Sequence, residues 1–286
     1  MSYPSVYFPD PFVPVARPLE EGADPGRFRL SRSSSRPLPL PEGERRFSPE
    51  RAYRPRVSPP SVEDRDACAI YASVRKDATP NREPVELALA NLQKMIHRAG
   101  NVDGEGDGCG ILVDIPRKLW SEQVRAGGHN PALALDEAFA VAHVFFDRSS
   151  DAEKALHDAR EILGRGGFRI LAEQLGNVDS HALGATARED EPHFWQVGGL
   201  LPDVKRRDRL TFDLMVALEA ELGFHLASFS ASTCVYKVMG APTVLGAYYP
   251  DLRDERFETI GCFGHNRYST NTWPSFRRVQ IGRAHV

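Results

Sequence analysis

The chain has 286 residues, 41% of them hydrophobic and 26% charged, with a net charge of −3. That balance suits a globular protein of one large domain or two small ones and argues against a nucleic-acid binder, which carries a basic face. The four cysteines, Cys68, Cys109, Cys234 and Cys262, form no CxxC pair, so neither a structural zinc site nor a disulfide framework is expected.

The average hides an asymmetry. Residues 1–67 hold 13 of the 22 prolines and 11 arginines but no lysine. Proline at that density breaks helices and central strands alike. Ten acidic residues offset the arginines, and no apolar core follows a basic start, so neither a transit nor a signal peptide is read there. The segment reads as a leader, either a loosely docked tail or a propeptide.

After Asp66 the texture changes. Residues 67–74 read as a buried strand. Residues 84–97 read as a helix with Val85, Leu89, Leu92 and Ile96 on one face and Pro84 in its first turn. A glycine loop, 100–110, leads to a strand at 111–115, stopped by Pro116. Residues 139–146 read as a strand and are far too short to span a bilayer. A helix over 150–163 takes Ser150 or Asp151 as its cap and ends at Gly164. A short strand at 168–171, a helix over 210–222 ended by Gly223, a strand at 233–238, a helical turn at 243–249 and a strand at 259–264 complete the pattern. Periodicity by itself predicts a mixed α/β fold and says nothing of chemistry.

The glycine loop invites a nucleotide-binding reading and fails on spacing. Gly104, Gly106, Gly108 and Gly110 alternate, so neither a GxGxxG frame nor a GK[ST] exists. The loop also leads from helix into strand, opposite to a phosphate cradle, and it is read as structural. GxSxG and HExxH are absent, and the nine histidines are scattered. Two segments remain, Asp66-Ala67-Cys68 at the leader junction and Gly264–Thr272 after a strand. By composition alone Cys68 is a small buried hydrophobe and Arg267 one more surface arginine.

Five blocks change that reading: DACAIYASV, LANLQKMIHRAGNVDGEGDGCGILVDIP, LGATAREDEP, VYKVMGAPTVLGAYYPDLRDERF and GHNRYSTNTWPSF. In this order they resemble the glutaminase domain of glutamate synthase large subunits, a class II glutamine amidotransferase domain of the N-terminal-nucleophile hydrolase type. The resemblance runs from about Asp66 to Gln280 and departs at Ala69-Ile70-Tyr71, where the family usually has glycines. It implies an α+β fold, a four-layer αββα sandwich of two antiparallel sheets between helix layers, incomplete in this chain. It further implies that residues 1–67 are a propeptide and that 68–280 are part of the amidotransferase domain.

By the same resemblance Cys68 becomes the first residue after cleavage and the catalytic nucleophile. Its new α-amine would then act as general base, because an α-amine has a pKa of about 7.7–8.0. Arg267 would grip the α-carboxylate of L-glutamine, where a guanidinium fork suits a carboxylate better than lysine does. Thr270 and Asn271 would line the same pocket, with His265 and Tyr268 supporting the loop.

Ammonia would pass to 2-oxoglutarate in a synthase domain or subunit that carries FMN and an iron–sulfur cluster. This chain itself is expected to bind no cofactor or metal and to touch neither nucleic acid nor membrane. The cytoplasm is the default location. The family's oxyanion-hole block, roughly His-Asn-Gly-Glu-Ile-Asn, is not found here, so the chain by itself is expected to be inactive. One back-translation of residues 281–286 matches a common sequencing adapter, and these six are read as a non-native tail. A stand-alone class II amidotransferase subunit and a non-catalytic glutamine-binding scaffold are the alternatives.

Overall fold

The computed structural model describes residues 68–102, 105–267 and 274–279. The leader 1–67, the candidate residues Tyr268, Thr270 and Asn271, and the suspected tail 281–286 lie outside the described residues.

Ten strands and six α-helices follow in the order β1 (Ala69–Val74), α1 (Glu83–Lys94), β2 (Asn101–Val102), β3 (Glu105–Gly106), β4 (Cys109–Asp114), α2 (Arg117–Ala126), β5 (Phe139–Phe146), α3 (Ala152–Arg165), β6 (Arg169–Leu175), α4 (Ala185–Glu189), β7 (His193–Leu200), α5 (Arg207–Leu222), β8 (His225–Ser230), β9 (Thr233–Val238), α6 (Pro242–Tyr248) and β10 (Gly261–Asn266). One four-stranded sheet has the order β1-β10-β4-β9 and a second the order β6-β7-β5-β8, while β2 and β3 form a small ribbon. Every pairing is antiparallel. The fold is therefore α+β. Strands and helices alternate along the chain, as the pattern predicted, without forming parallel crossovers.

Local chemistry explains several element ends. Asp151 caps α3, its carboxylate accepting the amide of Lys154 at 3.1 Å. That helix runs past Gly164 to Arg165. Helix α5 stops at Gly223, whose φ of +67° is the left-handed turn that suits glycine. Helix α1 ends at Lys94, short of the expected 97, because the buried side chain of Asn266 donates to the carbonyls of Leu92 at 2.8 Å and Met95 at 3.3 Å. Ile96 falls in a following turn and is exposed, not part of the apolar face. Strand β10 begins two residues later than expected, since Asp114 accepts the amides of Ile260 and Gly261 at 2.8 and 2.9 Å and holds that turn.

In the second sheet β5 is buried along its whole length. Ala140, Ala142, Val144 and Phe146 pack towards α3 and α5. Phe139, Val141 and Phe145 face the larger core with Trp120 of α2. The two sheets are joined through the tight β8–β9 hairpin, where Ser230 Oγ accepts the amides of Ser232 and Thr233 at 3.0 and 3.2 Å. The first sheet lays one face on α1 and α6. Gly264 lets β10 approach so closely that a Cβ there would lie 2.9 Å from Leu92 Cδ1. The other face is open along β1 and β10, where Ile70 is 74%, Val74 63% and Phe263 47% exposed, while Val235 and Lys237 of β9 on that face are buried. Among the described residues no helix is long and apolar enough to cross a membrane.

Candidate active site

Antiparallel pairing of β1 with β10 sets Ala69 opposite Asn266. One step further along the same register, Cys68 leaves the sheet beside Arg267. Both lie at the end of the first sheet rather than within it. Cys68 is exposed, against the expectation from composition, whereas Cys109, Cys234 and Cys262 are buried. Burial pushes the thiols of Cys109 and Cys262 up to about 12 and that of Cys234 well above its ordinary value. These three stay neutral and inert. Of the four thiols only Cys68 is both accessible and close to a cation.

Arg267 is half-buried. Burial lowers its pKa, Asp107 opposes that shift, Arg278 adds to it, and the Cys68 thiol again opposes it. The two residues singled out by sequence are thus within electrostatic reach of each other. Thr270 and Asn271 fall in the segment outside the described residues.

Blocks far apart in sequence converge here. The Arg267 amide donates to the carbonyl of Gly108 at 2.9 Å, and the Arg267 carbonyl accepts the amide of Gly100 at 3.0 Å. The glycine loop therefore holds the backbone of Arg267 from both sides. The β2–β3 ribbon is pinned in turn. Glu105 accepts the amides of Thr186 and Ala187, both at 3.1 Å, at the start of α4. Gly106 lies against Ala241, whose backbone nitrogen would be 2.4 Å from a Cβ.

Beyond the loop, Asp190 accepts the Phe276 amide at 3.0 Å. Buried Lys237 donates to the carbonyl of Arg277 at 3.3 Å, with its Nζ 2.6 Å from His225 Nε2. The described residues on either side of 268–273 are thus anchored by residues of other blocks. Sequence reasoning passed over Glu105, Asp107, Asp190, Lys237 and Asn266. The one available signal was two acidic residues set among glycines in GEGDGCG.

His143 is a core residue whose burial lowers its pKa to about 4. Its Nδ1 donates to the Val235 carbonyl at 2.9 Å, and Gln196 Nε2 lies 3.3 Å from its Nε2. An open pocket of about 620 Å³ beside Asn177 and Asp251 is lined by residues from neither candidate segment. Among the described residues no group of three or more His, Cys, Asp and Glu side chains is arranged to hold a metal ion.

Residues 68–285 match the family described as class II glutamine amidotransferases. The chain is 34% identical over 232 residues to the large chain of an NADPH glutamate synthase of Azospirillum brasilense, covering 76% of this chain and 15% of that protein. It is 31% identical over 227 residues to ferredoxin-dependent glutamate synthase 2 of Synechocystis, covering 77% and 14%. A third relative, the NADPH glutamate synthase large chain of Bacillus subtilis, is 29% identical over 245 residues, covering 81% and 15%. The chain spans about 15% of the length of the curated relatives it matches.

Proposed function

This chain belongs to the class II glutamine amidotransferases, and from that premise we propose that it is the glutamine-hydrolysing part of a glutamate synthase. One observation carries the reading: the exposed cysteine of the four lies beside Arg267, and the family match begins at that cysteine. Likeness to synthase large chains supports this reading over a stand-alone subunit.

Removal of residues 1–67 would turn the Cys68 peptide nitrogen, which is no base, into an amine. That amine takes the thiol proton, and the thiolate attacks the side-chain amide carbon of glutamine. It then passes the proton to the departing nitrogen, which leaves as ammonia and a thioester remains. Water, deprotonated by the same amine, cleaves the thioester, releases glutamate and restores the thiol. Arg267 orients the substrate by a bidentate grip on its α-carboxylate, with Thr270 and Asn271 lining the pocket. Ammonia would pass to 2-oxoglutarate in the remainder of a cytoplasmic synthase. FMN and an iron–sulfur cluster belong, in this reading, to that remainder. The open face of Ile70, Val74 and Phe263 supports a further layer over the first sheet, as a four-layer sandwich requires.

The test is the N-terminal sequence of the full-length mature protein, together with labelling by an electrophilic glutamine analogue. The expected result is a chain that begins at Cys68 and is alkylated there. A mature protein retaining residues 1–67 with full glutaminase activity would refute the mechanism.

A further inference from the structure

The glycine loop, read from sequence as turns alone, does more than turn. Asp107 is only 1% exposed, and a carboxylate that deep is costly unless a cation faces it. Its amide donates to the Gly100 carbonyl at 3.0 Å, while the Gly100 amide donates to the Arg267 carbonyl at 3.0 Å. Asp107, Gly100 and Arg267 are thus consecutive links of one backbone chain. The carboxylate lies over Gly100 itself, since a Cβ there would fall 1.9 Å from Asp107 Oδ2. The flanking glycines fix this placement. Gly106 is pressed on Ala241, and Gly108 takes a φ of +134° with Val279 Cγ2 2.4 Å from a Cβ position. Neither tolerates a side chain, so the turn has little freedom to carry Asp107 elsewhere. Asp107 also attracts the Arg267 guanidinium, opposing the effect of its burial.

We propose that Asp107 is the positioning residue for Arg267, its buried negative charge biasing where the guanidinium lies so that the fork meets the substrate α-carboxylate. This rests on the reading of Arg267 as the carboxylate grip and adds the residue that aims it. A bidentate grip is directional, and it gains from a fork whose rotamer is fixed before the substrate arrives. Gly100 belongs to the same device, because only a residue without a Cβ leaves room for the Asp107 carboxylate.

The experiment measures glutaminase kinetics of the full-length protein with Asp107→Asn, Gly100→Ala and Arg267→Lys, on L-glutamine and on L-glutaminamide, which lacks the carboxylate. Asp107→Asn keeps the volume and removes the charge. Its KM for glutamine is expected to rise about tenfold with kcat within about threefold, and the preference for glutamine over glutaminamide to fall in proportion. Gly100→Ala is expected to reproduce that loss of preference with the carboxylate still present. A merely structural role would leave the preference unchanged in any variant that folds. If Arg267→Lys destroys the preference while Asp107→Asn and Gly100→Ala both keep it, the positioning role is overturned and the grip stands. If Arg267→Lys also keeps it, the grip itself fails and the positioning role falls with it.

Discussion

The two four-stranded sheets are built from similar residues and finished differently. The second sheet is covered on both sides: β5 is buried at every position, between α3 and α5 on one face and the Trp120 core on the other. The first sheet has one side left open along β1 and β10, and that open stretch begins next to Cys68. The cysteines divide along the same line. Those within the first sheet's strands are sealed with raised thiol pKa values, and the one just before β1 is exposed. Reactive groups belong where cover ends. A sheet terminus can present a thiol and a guanidinium to a substrate, while a sealed core holds its ionisable groups neutral.

The largest test of this contrast is Cys68→Ala. Removing the proposed nucleophile should cost at least about a thousandfold in glutaminase kcat of the full-length protein. The melting temperature should be unchanged, because the side chain is exposed. If Cys262→Ala cost as much activity as Cys68→Ala, the distinction between sealed and open thiols would be wrong.

Next comes the sealed side. Trp120 is fully buried, with its ring edge-to-face against Phe139 at 5.9 Å. Truncation to alanine should cost about 3–5 kcal/mol in a denaturant titration. A loss below 1 kcal/mol would mean that the core between the sheets is looser than described.

His143 gives a pH-dependent test of the same core. Its pKa is lowered to about 4 in the fold, from an ordinary 6.5. The unfolded chain therefore binds the proton first as pH falls. Stability from keeping this ring neutral is present above pH 6.5 and is lost as pH drops towards 4, a loss on the order of 3 kcal/mol. Thermal melts across that window should show the slope, and His143→Gln should flatten it. An unchanged slope in the variant would assign the acid sensitivity elsewhere.

The smallest effect is expected on the open face. Ile70→Thr should change the stability of the 286-residue chain by no more than about 0.5 kcal/mol, since Ile70 is 74% exposed. In the full-length protein the same substitution should cost more, if a further layer covers this face. Equal, negligible losses in both would argue that the face stays open.

Much of the chain was legible because its signals are local. The strands at 139–146 and 233–238 fall where β-branched and aromatic runs placed them, and the caps at Asp151 and Gly223 follow from short-range chemistry. Strand β7 was left unassigned, its pattern interrupted by Gly198 and Gly199. Each is there for close approach: a Cβ on Gly198 would meet the Trp120 ring at 2.6 Å, and one on Gly199 the Arg169 carbonyl at 2.3 Å. Helix α2 was missed behind Pro116, which ends one element and opens the next. Strand β8 was missed as well, its pairing with β5 interrupted by a register shift at His143/Val144.

The amino-acid sequence alone determined which residues to watch, Cys68 and Arg267, and the family they point to, because five ordered blocks are a specific signature that needs no geometry. Tertiary structure decided that Cys68 is open rather than buried, that the β1–β10 register sets Arg267 beside it, and that a loop read as mere turns holds the Arg267 backbone through Gly100 and Gly108. The reason is physical. Propensity and periodicity act over a few residues, whereas exposure, sheet register and the environment of a buried charge are set by partners more than a hundred positions away.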